Sequence, residues 1–248
     1  MTAAAPRLVV ENVTRRFGAL VAVRNVSFDV APGEIFGVAG PNGSGKSTLF
    51  NVLTGVPFGP SGGRIVFEGQ EIQDWPAHRI SRAGLMRTFQ KDAEFPTLTA
   101  LENVACSAVY CAGLTGARAR DASERALAAV GFDGRRHRMR AADLSVYERK
   151  QLMIASALAG NPTMLLLDEP AAGLTRPEVD DLGELIVQVR GRGISVVLIE
   201  HVLTLLLKVS ERLMVLDQGA VLAHGAPAEV VGDPKVVEAY LGRREVVD

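Results

Sequence analysis

The chain has 248 residues, a formal net charge of −1 and a hydrophobic share of 48%. These values suit a globular fold with a sizeable core, and the neutral balance removes any bulk electrostatic case for a nucleic-acid partner. No stretch reaches the ~18 apolar residues of a membrane-spanning helix, no charged start with an apolar segment marks a secretory signal, and Cys106 and Cys111 lack metal or redox spacing. The expectation is a cytoplasmic protein whose cysteines are small buried thiols.

The first third reads as strand-rich. Residues 8–13 form one candidate, and Val26, Phe28 and Val30 alternate with Ser27 and Asp29 as a half-buried strand does. Pro32-Gly33 turns the chain into a short apolar strand over 34–39, and a helix opens over 48–53. A strand at 65–67 follows a Gly-Pro-Ser-Gly-Gly turn. From about 98 to 158 the pattern is helical, rich in Ala and Arg, with an amphipathic helix over 121–130. Residues 164–167 and 195–199 are continuous apolar runs, as expected of central parallel strands. Residues 213–216 and 221–223 flank Asp217-Gln218-Gly219 as a hairpin, and Asp233-Pro234 starts a short helix to 241. The sum is an α/β core interrupted by a helical insertion.

Between the strand at 34–39 and the helix at 48–53 stands Gly40-Pro41-Asn42-Gly43-Ser44-Gly45-Lys46-Ser47-Thr48. It fits G-x-x-x-x-G-K-[ST], the phosphate-binding pattern, in the right strand–loop–helix context. Glycines let backbone N–H groups wrap a phosphate chain without a Cβ clash, and the helix N-terminus adds partial positive charge. All nine residues are expected to cradle ATP, with Lys46 on the β- and γ-phosphates and the Ser47 hydroxyl on Mg²⁺. The apolar run 164–167 ends in Asp168-Glu169, two carboxylates at the carboxyl edge of a parallel sheet, where ligands bind. Asp168 suits a water-mediated Mg²⁺ partner, and Glu169 a base or orienter of the attacking water.

With these residues in place the whole chain resembles the ATPase subunit of an ABC transporter. Arg87-Thr88-Phe89-Gln90 is similar to the Q-loop, whose glutamine touches Mg²⁺ and the nucleophilic water. Leu144-Ser145-Val146-Tyr147-Glu148 occupies the place of the ABC signature, Asp168-Glu169-Pro170 that of Walker B, and Ala172-Gly173-Leu174-Thr175 that of the D-loop. His201 follows a buried strand as the switch histidine does, and Phe17 sits where the family places an aromatic against adenine. The resemblance implies a P-loop fold of the RecA type with an N-terminal antiparallel β subdomain and an ABC-specific helical insertion. The implied division is 1–89 with 160–225 as nucleotide-binding core, 90–159 as helical subdomain and 226–248 as C-terminal extension. Catalytic roles are implied for Glu169, His201, Gln90 and Lys46, and metal contact for Ser47, Gln90 and Asp168. Ser145 is implied to contact the ATP of an opposite subunit.

Residues 49–55, 79–90, 98–104 and 168–174, with the tail from Gly225 to Gly242, further resemble the branched-chain (hydrophobic) amino acid uptake group. That implies an ATPase powering an importer at the cytoplasmic face of the inner membrane. Its partners would be a second ATPase subunit (a different chain, or a second copy), two membrane permeases and, indirectly, a solute-binding protein. The alternatives are a catalytically impaired regulatory subunit and a soluble ABC ATPase without transport work.

The chain departs from the family pattern at the signature, where Tyr147 replaces glycine and Glu148 replaces glutamine; Thr175 in the D-loop and Val202 after the switch histidine also depart. A positive φ at position 147 would be costly for tyrosine, and Glu148 adds negative charge beside a polyanion. The expectation is an asymmetric dimer, with a competent site on this chain's own Walker residues and a slower one at its signature.

Overall fold

A computed structural model of the chain describes residues 5–89 and 94–241. In chain order the elements are β1 (Leu8–Phe17), β2 (Leu20–Val30), β3 (Ile35–Ala39), α1 (Lys46–Thr54), β4 (Gly62–Phe67) and β5 (Gln70–Glu71). Next come α2 (Ala77–Arg82), β6 (Leu85–Arg87), α3 (Ala100–Tyr110), α4 (Gly116–Ala129) and α5 (Val146–Ala159). The remainder is β7 (Met164–Asp168), α6 (Arg176–Gly191), β8 (Ser195–Ile199), α7 (Leu203–Val209), β9 (Arg212–Asp217), β10 (Ala220–Gly225), α8 (Pro227–Gly232) and α9 (Pro234–Leu241).

The larger sheet runs β10-β9-β3-β8-β7-β6. Its strands from β9 to β6 are parallel, and β10 closes the edge antiparallel to β9. Every residue of β3, β7 and β8 is buried, which is why these strands read as unbroken apolar runs. The smaller sheet, β2-β1-β4-β5, is antiparallel and half-exposed, so its strands alternate. Strand periodicity splits the core across the larger sheet. Leu165 and Leu167 of β7 pack with Leu127 and Leu152 of the helical side, whereas Met164 and Leu166 pack with Phe28, Phe36 and Phe50.

Three expectations change. The segment from 98 to 158 is broken: α3 stops at Tyr110, α4 begins five residues earlier than its apolar stripe suggested, and two short 3₁₀ turns at Arg136–Arg138 and Ala141–Asp143 precede α5. Cys106 and Cys111 are half-buried rather than buried, because they lie on α3 and at its end, where the helix faces a surface recess. The short α2 and β6 had no sequence signal strong enough to be read. The hairpin at Asp217 is present, with Gln218 and Gly219 both left-handed (φ 45° and 80°), as a two-residue turn of that twist requires.

Candidate functional site

The phosphate loop leaves the carboxyl end of β3, central in the sheet, and enters α1. It is held from three directions. The Gly219 N–H of the β9–β10 turn donates to Ser44 O at 3.0 Å. A Cβ on Gly45 would collide with the Ala22 carbonyl oxygen of β2, and one on Gly40 with the Leu216 carbonyl oxygen of β9. Both glycines also have left-handed φ, 102° and 146°. These are the two positions where only glycine fits. Gly40 N–H, moreover, donates to the Tyr240 hydroxyl of α9 at 2.7 Å, so the C-terminal helix reaches the first residue of the loop.

Lys46 is buried, and its Nζ donates to Gly40 O at 2.7 Å and Pro41 O at 3.0 Å, inside the curve of the loop. Burial lowers its pKa, and the nearby charges of Glu169 and Asp168 oppose that shift. Asp168 and Glu169 sit where β7 ends, beside the neighbouring strand β8. Glu169 has φ 49°, an uncommon conformation for a residue with a side chain, and its N–H donates to Ile199 O at 2.9 Å. Its Oε1 lies 2.8 Å from His201 Nε2, so the imidazole after β8 and the carboxylate after β7 meet. A cleft of ≈ 330 Å³ is lined by Asn42, Gly43, Lys46, Ser47, Glu169 and His201, with Phe17 at its wall. Phe17 is 39% exposed and packs edge-on to Phe58 with ring centroids 5.0 Å apart.

The residues present suit a nucleotide and its metal. A Cβ on Gly43 would meet open space, which marks the accessible inner side of the loop. Asp168 Oδ1 is buried with no hydrogen-bond partner among the described residues, an acceptor that a metal-bound water would satisfy, and the Asp168 charge is felt by Lys46. Among the described residues no cluster of three or more His, Cys, Asp or Glu could hold a metal unaided. Gln90 lies outside the described residues.

Ser145 stands apart from this cleft, as the N-cap of α5. Its hydroxyl accepts from Glu148 N–H at 3.2 Å, and Glu148 Oε2 accepts from Ser145 N–H at 2.9 Å. The Ser145 hydroxyl proton is left over to donate outward. Two worries raised by the altered signature are corrected here. Tyr147 lies in the first turn of α5 with helical backbone, so no positive φ is imposed on it. Its phenol is half-buried against the helical core, where burial and then the charges of Asp181, Glu178 and Glu184 of α6 raise its pKa. Glu148, for its part, is paired with Arg136 at 3.0 Å as well as with the cap. Thr175 holds the start of α6 through Glu178, whose Oε2 accepts from both Thr175 N–H and Thr175 Oγ1 at 2.8 and 2.7 Å.

Two residues escaped the sequence reading. Glu200 is 2% exposed and accepts from Ala171 N–H, just before the D-loop, at 2.6 Å and from His201 N–H at 3.2 Å. Desolvation raises its pKa to about 7 despite those donors. Arg87 pairs with Asp168 at 2.7 Å, both side chains buried. An acidic residue immediately after the end of an apolar strand was the only signal for the first. Nothing local signalled the second.

A parallel sheet that carries a glycine-rich phosphate loop with its lysine at the end of β3, and paired carboxylates at the end of β7, two strands away, defines a P-loop nucleoside triphosphatase. The chain belongs, within that class, to the ABC transporter ATP-binding family: the family model described as "ABC transporter" matches residues 23–172. A second model, "Branched-chain amino acid ATP-binding cassette transporter", matches residues 220–246. The chain is 39% identical to the high-affinity branched-chain amino acid transport ATP-binding protein BraF of Pseudomonas aeruginosa, over 96% of this chain and 98% of that protein. It is 37% identical to LivG of Escherichia coli over the same shares, and 33% identical to the lipopolysaccharide export ATP-binding protein LptB of Haemophilus influenzae, over 96% and 98%. Among solved structures, a nucleotide-free ATP-binding cassette from an ABC transporter superposes with TM-score 0.88 at 30% identity, covering 96% of this chain and 100% of that one. The ADP conformation of the cassette MJ1267 gives 0.87 at 30% identity with the same coverage. The chain is thus an ABC ATPase, a family that binds ATP and uses Mg²⁺ in its hydrolysis.

Proposed function

We propose that this chain is one of two ATPase subunits that power import of branched-chain or other hydrophobic amino acids, or of related small organic solutes. The observation that carries the solute class is the full-length likeness to BraF joined to the branched-chain match over 220–246. Its Tyr240 reaches the phosphate loop. The place of action is the cytoplasmic face of the membrane, docked on two permeases. No helix among the described residues is long and apolar enough to cross a membrane, so such docking would be peripheral. A recess of ≈ 180 Å³ between the end of β6 and helices α3 and α5, lined by Phe89, Phe95, Cys106 and Met153, offers an apolar seat for a permease helix.

In the chemistry we assign, bound Mg²⁺ neutralises phosphate charge and acts as a Lewis acid on phosphate oxygens. Ser47 and Asp168 hold it, the latter through water. Lys46, already among the loop carbonyls, carries the positive charge that the phosphate chain meets. Glu169 orients and deprotonates the attacking water, and His201 fixes the Glu169 carboxylate through its 2.8 Å contact. Phe17 stacks on the adenine. Ser145 donates to the ATP held by the opposite subunit, so that two ATP molecules lie between two chains. The intact cap geometry of Ser145 supports a catalytic subunit over a regulatory one despite the departure at Tyr147.

The test is uptake of radiolabelled leucine, isoleucine and valine by cells lacking this chain, with urea, a short amide and benzoate in parallel. Uptake of at least one solute should fall, return with the parent chain, and stay low with Glu169→Gln. Unchanged uptake of all six would overturn the importer assignment while leaving the ATPase class intact.

A further inference from the structure

Arg87 ends β6, the strand that pairs in register with β7 (Arg87 opposite Leu166). Its Nη2 donates to Asp168 Oδ2 at 2.7 Å, the two side chains being 7% and 3% exposed. Its Nη1 donates to Asn51 Oδ1 at 2.7 Å, and lies 3.5 Å from Thr54 Oγ1. The guanidinium carbon is 5.5 Å from the Phe50 ring centroid and 5.0 Å from that of Phe89. One buried cation therefore ties together α1, the end of β7 and the strand that leads three residues later to Gln90. A buried charge pair is a poor device for stability alone, since desolvation offsets most of the attraction. What it does supply here is orientation. Arg87 engages one oxygen of Asp168 and leaves Oδ1 buried without a hydrogen-bond partner among the described residues. Asn51 stands four residues after Ser47, hence on the same face of α1. The fork of Arg87 thus links the helix face that carries Ser47 to the Asp168 carboxylate at the end of β7.

We propose that Arg87 is a positioning residue for the metal: it sets the direction of Asp168 Oδ1 and its separation from Ser47. This rests on the reading of Asp168 and Ser47 as Mg²⁺ partners. Removing Arg87 lets the carboxylate rotate and the helix face drift, so metal affinity falls while the phosphate loop, held by β2, β9 and Tyr240, still binds nucleotide.

The experiment uses the full chain with ADP and follows Mn²⁺ binding by electron paramagnetic resonance, with ADP affinity in EDTA measured beside it. Variants are Arg87→Met, Arg87→Lys, Asn51→Ala and Asp168→Asn. Arg87→Met should weaken Mn²⁺ about tenfold, in the range of losses when a metal ligand loses its supporting partner. Its metal-free ADP affinity should stay within about twofold of the parent. Arg87→Lys should recover only part, because a point charge cannot span two acceptors as a planar fork does. Asn51→Ala leaves the ion pair in place and should weaken Mn²⁺ by about threefold, which keeps the idea testable if Arg87→Met does not fold. If Mn²⁺ and metal-free affinities fall together, Arg87 is structural and the proposal fails. It fails also if Asp168→Asn weakens Mn²⁺ and neither Arg87→Met nor Asn51→Ala does. An Asp168→Asn variant with parental Mn²⁺ affinity would sink the metal assignment itself, and this proposal with it.

Discussion

The two structures that the proposed chemistry turns toward nucleotide are built on opposite principles. The phosphate loop is made of backbone. Its glycines stand at φ values that side chains avoid, with carbonyls of β2 and β9 packed where a Cβ would go. The signature end of α5 is made of side chains: Ser145 and Glu148 cap the helix reciprocally, and Arg136 braces Glu148. A backbone device tolerates no substitution at its tight points. A capped helix tolerates a large residue in its first turn, provided the side chain finds a home, as Tyr147 does against the helical core.

The largest test of that contrast is Gly45→Ala. The added methyl meets the Ala22 carbonyl and the backbone must hold φ 102°. Strain of a few kcal/mol should either unfold the loop or destabilise the whole chain, with ATP affinity falling more than about a hundredfold. Isothermal titration with Mg-ATP, alongside thermal melting, measures both. Parental affinity in the alanine variant would show that the loop is softer than its packing indicates.

Glu169→Gln is next. The side chain keeps its shape and its contact with His201, yet loses the base. Turnover should drop by about 10²–10⁴ with ATP binding retained, read from phosphate release in parallel with nucleotide binding. Multiple turnover near the parental rate would remove Glu169 from the chemistry.

What could be read in advance follows the same division. The phosphate loop, the strands at 34–39, 164–167 and 195–199 and the hairpin at Gln218 are written in contiguous residues, because local backbone geometry and burial dictate them. The pairing of Arg87 with Asp168 joins positions 81 apart, and the contact of Tyr240 with Gly40 joins positions 200 apart. Neither leaves a periodic trace. The strain expected at Tyr147 was misjudged for a related reason. The helix start, with Ser145 extended and Val146 already helical, removes the φ requirement and leaves close backbone approach as the remaining reading of the family glycine.

Glu200 holds Ala171, the residue before the D-loop, and a Cβ added at Gly173, two residues on, would stand 3.7 Å from Val146 of α5, so the loop runs close to the signature helix. Its pKa is raised from 4.5 to about 7, so the folded state binds more protons than the unfolded one between those values. Its contribution is then fully favourable below about pH 4.5 and is lost as pH rises through about 7. Glu200→Gln should remove up to about 3 kcal/mol of that pH dependence. Denaturant melts at pH 5.5 and 8 compare parent and variant, and identical pH slopes would mean that Glu200 is ionised throughout.

The smallest effect should come from Tyr147→Gly, and its smallness is the point. If the signature needed glycine for its backbone angle, restoring it would raise turnover of the assembled ATPase pair many-fold. The structure instead gives Tyr147 an ordinary helical conformation and a seat beside Glu178, Asp181 and Glu184. Glycine in a helix costs about 0.5–1 kcal/mol in conformational entropy, and the phenol's packing on the helical core is lost as well. The variant should therefore melt a few degrees lower. Its turnover should stay within about threefold of the parent, a change worth less than about 1 kcal/mol in the barrier. A gain of tenfold or more would reveal that the phenol obstructs the partner's phosphate, and the asymmetric pair expected from the sequence would stand again. A small loss would place the signature's work in Ser145 and its cap, where a side chain rather than a bare backbone faces the second nucleotide.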